Sequence, residues 1–333
     1  MSRRGLIAAL VASQRRSERA AAQRHRQYVA QQKQLHTLTQ RAQAAHTAES
    51  HETSLEMLVT LHRDAASPWD WQRVLVSPPP CRGKEREEDA RRSLDSYKPS
   101  FFEWLFRRAQ SRRAELETAV AKASADDEAA WSDTVEQWKW YQQLAQGVVQ
   151  GDLRAYQAVI DNLSPFEELE SIGASVRTHI LGHSCAEAFT TVRNDVVPSI
   201  EHKLLASGRL SSKDMPKTKY WVLYQDYVCS AAIRVAREIF HILPLARTYV
   251  HVTAVMLNKA TGHSGPETVL SVEFDRDRLL GLNFDRIVAS DAVASFRHAM
   301  NFKKTAGFSP VENLQPLAQL TSLSNEPPMS RRR

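Results

Sequence analysis

The sequence predicts an α+β protein with a long helical, coiled-coil-like N-terminal arm, a central helical hairpin and a small mixed C-terminal sheet packed on helices. Three observations carry this prediction. Residues 3–64 contain no proline and only one glycine, which favours a long helix. Apolar residues recur at spacings of three and four within residues 109–150 and 217–241, as they do on one face of a helix. Short segments that alternate or are rich in β-branched residues follow Pro165, and these are typical of strands.

The arm, residues 1–66, is strongly basic. Residues 1–50 hold nine Arg and Lys residues against Glu18 and Glu49, so that 9 − 2 = +7, whereas the whole chain carries +6. A basic arm on a nearly neutral remainder indicates an anionic partner, either nucleic acid or an anionic membrane surface, with a solvated helix face as the alternative. The candidate binding residues in this segment are Arg15, Arg16, Arg19, Arg24 and Arg26.

Apolar positions in the arm are sparse after Leu10, and heptads are not sustained, so the sequence does not establish a strict coiled coil. A long polar helix needs a partner or a docking surface to be stable. We therefore expect a projecting arm that contacts a protein partner or associates in part with itself.

A proline-rich linker, residues 67–84, is predicted to follow, with Trp69 and Trp71 packing it onto the next domain. Residues 85–164 are predicted to form a helical hairpin or small bundle with short connections. The aromatic cluster at Phe101–Phe106 is expected to join these helices, and contact with a membrane surface is the alternative.

Residues 165–310 are predicted to form the C-terminal α+β domain around one large amphipathic helix. That helix is expected at Lys217–His241, and the tail from residue 311 to 333 is expected to be disordered. The pattern predicts strands at Ser175–Leu181, Cys185–Val192, Tyr249–Leu257 and Thr268–Phe274, a third strand within Val196–Leu205, a loop at Gly208–Pro216 and a helix at Ala289–Met300.

The cysteines predict a reducing, cytoplasmic location. Cys81, Cys185 and Cys229 are odd in number and lack CxxC spacing, so no disulfide framework is expected. The apolar run Leu6–Ala12 is too short to cross a bilayer, and the basic residues that follow it argue against a signal peptide.

The chain lacks the glycine-rich phosphate loops, the HExxH motif, the GxSxG motif and the kinase motifs. Asp195 followed by Glu201 and Lys203 resembles the Asp and Glu-x-Lys motif of restriction-endonuclease-like nucleases. In that resemblance two carboxylates would bind Mg²⁺ and the lysine would orient a water. The short spacing and Pro198 argue instead for a solvated strand edge.

Two other groups of residues could bind a metal ion or an anion. His179, His183 and Cys185 are zinc-ligand types, but no fourth ligand is evident and a hairpin with exposed histidines is the better interpretation. Arg234 and Arg237 are spaced to pair with Glu238 and His241 on the helix surface, or to form an anion pocket beside the Gly262–Gly265 loop.

These observations favour a non-enzymatic scaffold or regulatory protein that needs no cofactor. Its arm would contact a partner, and its C-terminal domain would bind another. The alternative is a nucleic-acid-binding protein or a Mg²⁺-dependent nuclease, in which Mg²⁺ is the only cofactor expected. Peripheral membrane contact through Leu6–Val11 and Phe101–Phe106 is a third alternative.

Overall fold

The computed structural model describes residues 3–100, 108–257 and 261–316, without the side chains of residues 3–23 and Arg26. It confirms the α+β class, with a long N-terminal helix and a C-terminal mixed sheet. The predicted aromatic element Phe101–Phe106 and residues 317–333 of the predicted tail lie outside this description.

Helix α1 spans Arg3–Thr60 and ends in a 3₁₀ turn at Leu61–Arg63. At 1.5 Å per residue its 58 residues extend about 87 Å. Every described side chain from Arg24 to Gln43 is exposed, whereas Ala44, Leu58 and Leu61 are buried. The projecting arm is thus shorter than the predicted residues 1–66, because the last third of α1 packs on the rest of the chain. We use "arm" below for residues 3–43 and "body" for the described residues from Ala44 onward.

The linker is ordered by its tryptophans. Helix α2, Trp71–Leu75, begins at Asp70, whose side chain accepts a hydrogen bond from the Arg73 backbone N–H. Trp71 is buried, and its indole donates to the Ile242 carbonyl at 2.6 Å. Trp69 stacks between Trp71 and Tyr141. The expected packing of both tryptophans on the neighbouring elements is therefore observed.

The helical region is built along one long helix. Helix α4, Ala109–Gln150, packs on α3, Glu85–Asp95, and on α5, Leu153–Leu163. Gly151 adopts φ +79° between α4 and α5, and the Asp152 side chain caps α5 through the Arg154 N–H. A short helix α6, Glu167–Ser171, leads into the sheet.

A six-stranded sheet has the order β1-β2-β5-β6-β7-β8, and only the β2–β5 pair is parallel. A separate hairpin pairs β3 with β4. The strands are β1 Ala174–Gly182, β2 Cys185–Val192, β3 Ile200–Leu204, β4 Leu210–Asp214, β5 Arg247–Leu257, β6 Ser264–Asp275, β7 Arg297–Lys303 and β8 Gly307–Ser309.

Helix α7, Lys217–Ile242, forms the crossover between the parallel strands β2 and β5. Its residues from Tyr227 to Ala236 are all buried, against one face of the sheet and the end of α1. The short helices α8, Arg276–Leu280, and α9, Ala289–Ala294, also contact α7. The predicted central helix is thus the core of the body.

Three sequence predictions differ from the structure. The third strand is Ile200–Leu204, but it lies in the separate hairpin, and the predicted loop Gly208–Pro216 contains its partner β4. The predicted helix Ala289–Met300 ends at Ala294 and the chain becomes β7, because Leu270 to Glu273 of β6 offer an edge to pair with. Residues 311–316, predicted to begin a disordered tail, lie along β6, where the Val311 N–H donates to the Thr268 carbonyl.

Candidate functional site

Within the nuclease-like motif, Glu201 and Lys203 pair with each other, whereas Asp195 pairs with a residue outside the motif. Asp195 is exposed and accepts two hydrogen bonds, both at 2.8 Å, from the Arg193 guanidinium. Glu201 lies on β3, where Lys203 and Lys219 both bind its carboxylate. Hydrogen bonds from Lys219 and Lys203 lower the pKa of Glu201 to about 2. The structure therefore brings Glu201 and Lys203 together, while Asp195 is neutralised by its own neighbour.

Metal-ligand types do not converge in the part of the chain that the structure describes. No group of three or more His, Cys, Asp or Glu side chains there could hold a metal ion. Of the predicted hairpin ligands, His183 bonds the Gly151 carbonyl, and the His179 ring lies against Phe189. Burial raises the pKa of the Cys185 thiol to about 11, which disfavours the thiolate that zinc would need.

Arg234 and Glu238 form a buried pair, which corrects the prediction of a helix-surface pair. Arg234 Nε lies 2.7 Å from Glu238 Oε1, and the two side chains are 6% and 1% exposed. Arg234 also binds Glu168 at 2.9 Å, and Glu238 accepts a hydrogen bond from the Ala66 N–H. The segment at Ala66 and helix α6 therefore cover a face that the sequence alone assigns to solvent.

Arg237 does not pair with His241 as predicted. Its guanidinium donates to the carbonyls of His62 and Arg63 and lies 3.7 Å from the centroid of the Phe284 ring. His241 instead bonds the Ala66 carbonyl through Nδ1. Burial lowers the pKa of Arg237 and that of His241. Both side chains thus hold the main chain at residues 62–66, which leaves neither of them directed at a ligand.

These contacts belong to one stripe of α7 that we call the seam, residues Ser230, Arg234, Arg237, Glu238 and His241. Their spacing of three and four places them on one helical face. Ser230 Oγ accepts from the His62 N–H at 3.0 Å and bonds His62 Nδ1 at 2.8 Å. The seam fixes residues 62–66, which follow α1, to α7.

Among the described residues, the Gly262–Gly265 loop lies away from the face of α7 that carries Arg234 and Arg237. Val255 to Leu257, next to that loop, lie beside Tyr220, Trp221 and Tyr224 in the first turns of α7. Arg234 follows Tyr224 by ten residues, which is about 15 Å along the helix. The loop and the two arginines therefore adjoin different ends of α7.

The arm is rich in basic residues. No Asp or Glu occurs between Glu18 and Glu49, a stretch that contains Arg19, Arg24, Arg26, Lys33 and Arg41. The side chains of Arg15, Arg16, Arg19 and Arg26, and those of Leu6–Val11, lie outside the described residues. Tyr28, Leu35 and Leu38 are about 60% exposed on the same helix. Among the described helices, none contains an apolar stretch that could cross a bilayer.

A further polar site lies in the sheet and was missed by the sequence reasoning. Glu187 of β2, His251 of β5 and Ser271 of β6 are joined through the imidazole, with His251 Nε2 2.9 Å from Glu187 Oε1 and Nδ1 2.8 Å from Ser271 Oγ. The Leu314 N–H donates to the same hydroxyl at 2.9 Å. The alternation of polar residues in β5 could have indicated that His251 is special. It could not predict the partners of His251, because Glu187 and Ser271 lie 64 and 20 residues away in the sequence.

The hydrogen bonds of this site run in one direction. Because the carboxylate only accepts, Nε2 carries the proton, and the neutral ring then accepts from Ser271 through Nδ1. Burial lowers the pKa of His251, against the opposing effect of Glu187, so the neutral ring is favoured. His251 and Ser271 are fully buried, which leaves the serine no room to attack a substrate. The arrangement therefore anchors residues 311–316 across the sheet.

No protein-family model, curated protein or solved structure matches this chain. The fold and the sites described above define a protein with an α+β body and an exposed basic helix.

Proposed function

We propose that this protein is a non-enzymatic scaffold or regulatory protein whose basic arm contacts an acidic partner and whose body carries a second binding site. The observation that supports the proposal most directly is the exposure of α1 from Arg24 to Gln43. This stretch has no carboxylate and displays Tyr28, Leu35 and Leu38. Three free cysteines, one of them exposed, fit the proposed cytoplasmic location.

The partner chemistry follows from the arm's surface. An isolated polar helix is marginal in water, so a partner that covers Leu35 and Leu38 would stabilise it. Two copies of the arm would bring two strongly basic segments together, which disfavours self-association. An amphipathic helix with leucines on one face and glutamates beside them complements both the apolar and the basic positions.

Nucleic-acid binding is the second candidate, because the net positive charge of the arm would attract phosphates. The nuclease variant of this candidate has less support, since Asp195 and Glu201 are each neutralised by separate cationic side chains. The two candidates differ in one respect: phosphate attraction needs only the charges, whereas a helical partner also needs the apolar residues.

The test measures binding of the full chain to two fluorescent probes by anisotropy: a designed helix with a leucine face and glutamate flanks, and a short DNA duplex. The Leu35→Ala/Leu38→Ala variant should weaken binding of the acidic helix by roughly tenfold and leave DNA binding unchanged. The Arg24→Glu/Lys33→Glu variant should weaken both. Lys122→Glu/Lys139→Glu, the same charge change on α4, is the matched control.

Binding of DNA alone, with sensitivity only to the arm charges, would favour the nucleic-acid candidate instead. Failure of the arm to bind either probe, or an equal loss with the α4 control, would overturn the proposed role of the arm. Sedimentation of the unmodified chain completes the test, because a stable oligomer that the Leu35→Ala/Leu38→Ala variant dissolves would identify the partner as a second copy.

A further inference from the structure

A groove of about 620 Å³ runs along the outer edge of β1. One wall is formed by α5, α6 and the turn between them, and the other by Val176, Arg177, Thr178 and His179. Neighbouring residues of a strand point to opposite faces of a sheet. Because four consecutive residues line the groove, it must follow the edge of the strand and not one of its faces.

This edge has no backbone partner among the described residues. Strand β1 ends the six-stranded sheet and pairs only with β2, on its inner side. Apart from the ladder to β2, no hydrogen bond between described residues involves a backbone group of Ala174–Gly182. An open strand edge of nine residues presents N–H and C=O groups over about 30 Å, which an added strand can satisfy.

The helical wall of the groove is acidic. Asp161, Glu167 and Glu170 line it, against Arg177 on the strand side, so the lining carries −3 + 1 = −2. Glu167 and Glu170 are exposed and form no ion pair with another described residue. Their charge is therefore available to a cationic ligand.

We propose that this groove binds an extended peptide with basic side chains, which adds to the sheet as a strand beside β1. The proposal rests on the proposed role of the body as a partner-binding unit and names the chemistry of that partner. The backbone edge would supply the pairing, and the carboxylates of Glu167 and Glu170 would supply the selectivity.

The pleat of the added strand sets the peptide pattern. Alternate side chains would point toward the α5–α6 wall, where the carboxylates lie, and the others toward the side of Arg177 and His179. Lysine or arginine at every second position, with neutral residues between, fits both sides. A block of basic residues would place half of its charges beside Arg177.

The experiment uses the full chain and a fluorescent peptide of about eight residues that alternates lysine with threonine. A peptide of the same composition with the lysines in one block should bind roughly tenfold more weakly. The alternating peptide with N-methylated backbone amides should lose binding, because it keeps its charge but cannot form the ladder. Glu167→Lys/Glu170→Lys should weaken binding by roughly tenfold or more, and the control Asp133→Lys/Glu136→Lys on α4 should not.

Equal binding of the N-methylated peptide, equal loss in the α4 control, or no binding of the alternating peptide would each overturn the inference. These outcomes are separate from those of the arm, because the arm variants leave this groove unchanged and the groove variants leave the arm unchanged. If the groove does not bind the peptide but the arm variants behave as expected, the proposed role of the arm stands and only the basic-peptide partner of the groove is excluded.

Discussion

The Arg234–Glu238 pair shows that the spacing of two residues can predict their contact without predicting their burial. The spacing of four predicts that the two side chains meet on a helix, and they do. Their burial follows from a distant segment, because Ala66 donates to Glu238 across 172 residues of sequence. A sequence pattern can therefore predict this contact but not the covering that makes it important for stability.

Removal of one partner from this pair is expected to be costly. Glu238→Ala leaves the buried Arg234 with only the exposed Glu168, and we expect the free energy of unfolding to fall by about 3 kcal/mol. Replacement of both by Met should cost less than the single change, because no buried charge is left alone. Denaturant unfolding of the single and double variants measures both effects.

The exposed pair between Arg193 and Asp195 provides the control, and Asp195→Ala should change stability little. If the Glu238→Ala and Asp195→Ala variants unfold alike, the buried pair does not stabilise the contact between α7 and the segment that follows α1.

At the scale of elements, α1 is one helix with two different environments. Its composition predicts the helix, and the absence of proline predicts its length. The division at Ala44 is less visible in the sequence, because it depends on the β3–β4 hairpin and α7, which pack on the later turns. At the turn of that hairpin, Gly208 adopts φ +76° and lies under the Arg41 side chain.

Replacing a leucine by alanine should cost more stability near the buried end of α1 than on the exposed arm. Leu61→Ala, in the 3₁₀ turn that follows α1, removes a 4% exposed side chain from the core, and we expect a loss of about 3 kcal/mol in the free energy of unfolding. Leu35→Ala is the matched change on the exposed arm and should alter stability by less than about 0.5 kcal/mol. Thermal or urea unfolding of both variants tests the division, and similar losses would contradict it.

Strand β7 shows why the local sequence pattern predicted the wrong secondary structure after Ala294. Residues 297–300 follow a helical segment and extend its apolar spacing, so the sequence favours a longer helix. The exposed edge of β6 pairs with Arg297–Met300 instead, and Arg297 binds Glu273 at 2.7 Å across the two strands. The groove beside β1 was missed for a similar reason, because its acidic wall and its strand come together only in the folded chain.

At the scale of the whole molecule, buried histidines join distant parts of the chain. His62 and His241 hold the end of α1 and its linker on α7, and His251 holds residues 311–316 on the sheet through Ser271. Burial lowers the pKa of all three below the usual value of 6.5. The folded chain therefore favours the neutral rings.

Mild acid should consequently weaken the fold. Below about pH 6.5 the unfolded chain takes up protons that the folded chain resists, so the stability these histidines contribute is complete above that pH and falls as the pH drops. Glu201, whose pKa is lowered to about 2, acts in a separate window below its ordinary value of 4.5. Urea unfolding between pH 7.5 and 5 should thus show a falling free energy, with a slope of up to about 1.4 kcal/mol per pH unit for each histidine. His62→Gln should reduce that slope, while His36→Gln on the exposed arm should not, and an unchanged slope in the His62→Gln variant would exclude His62 as a source of the acid sensitivity.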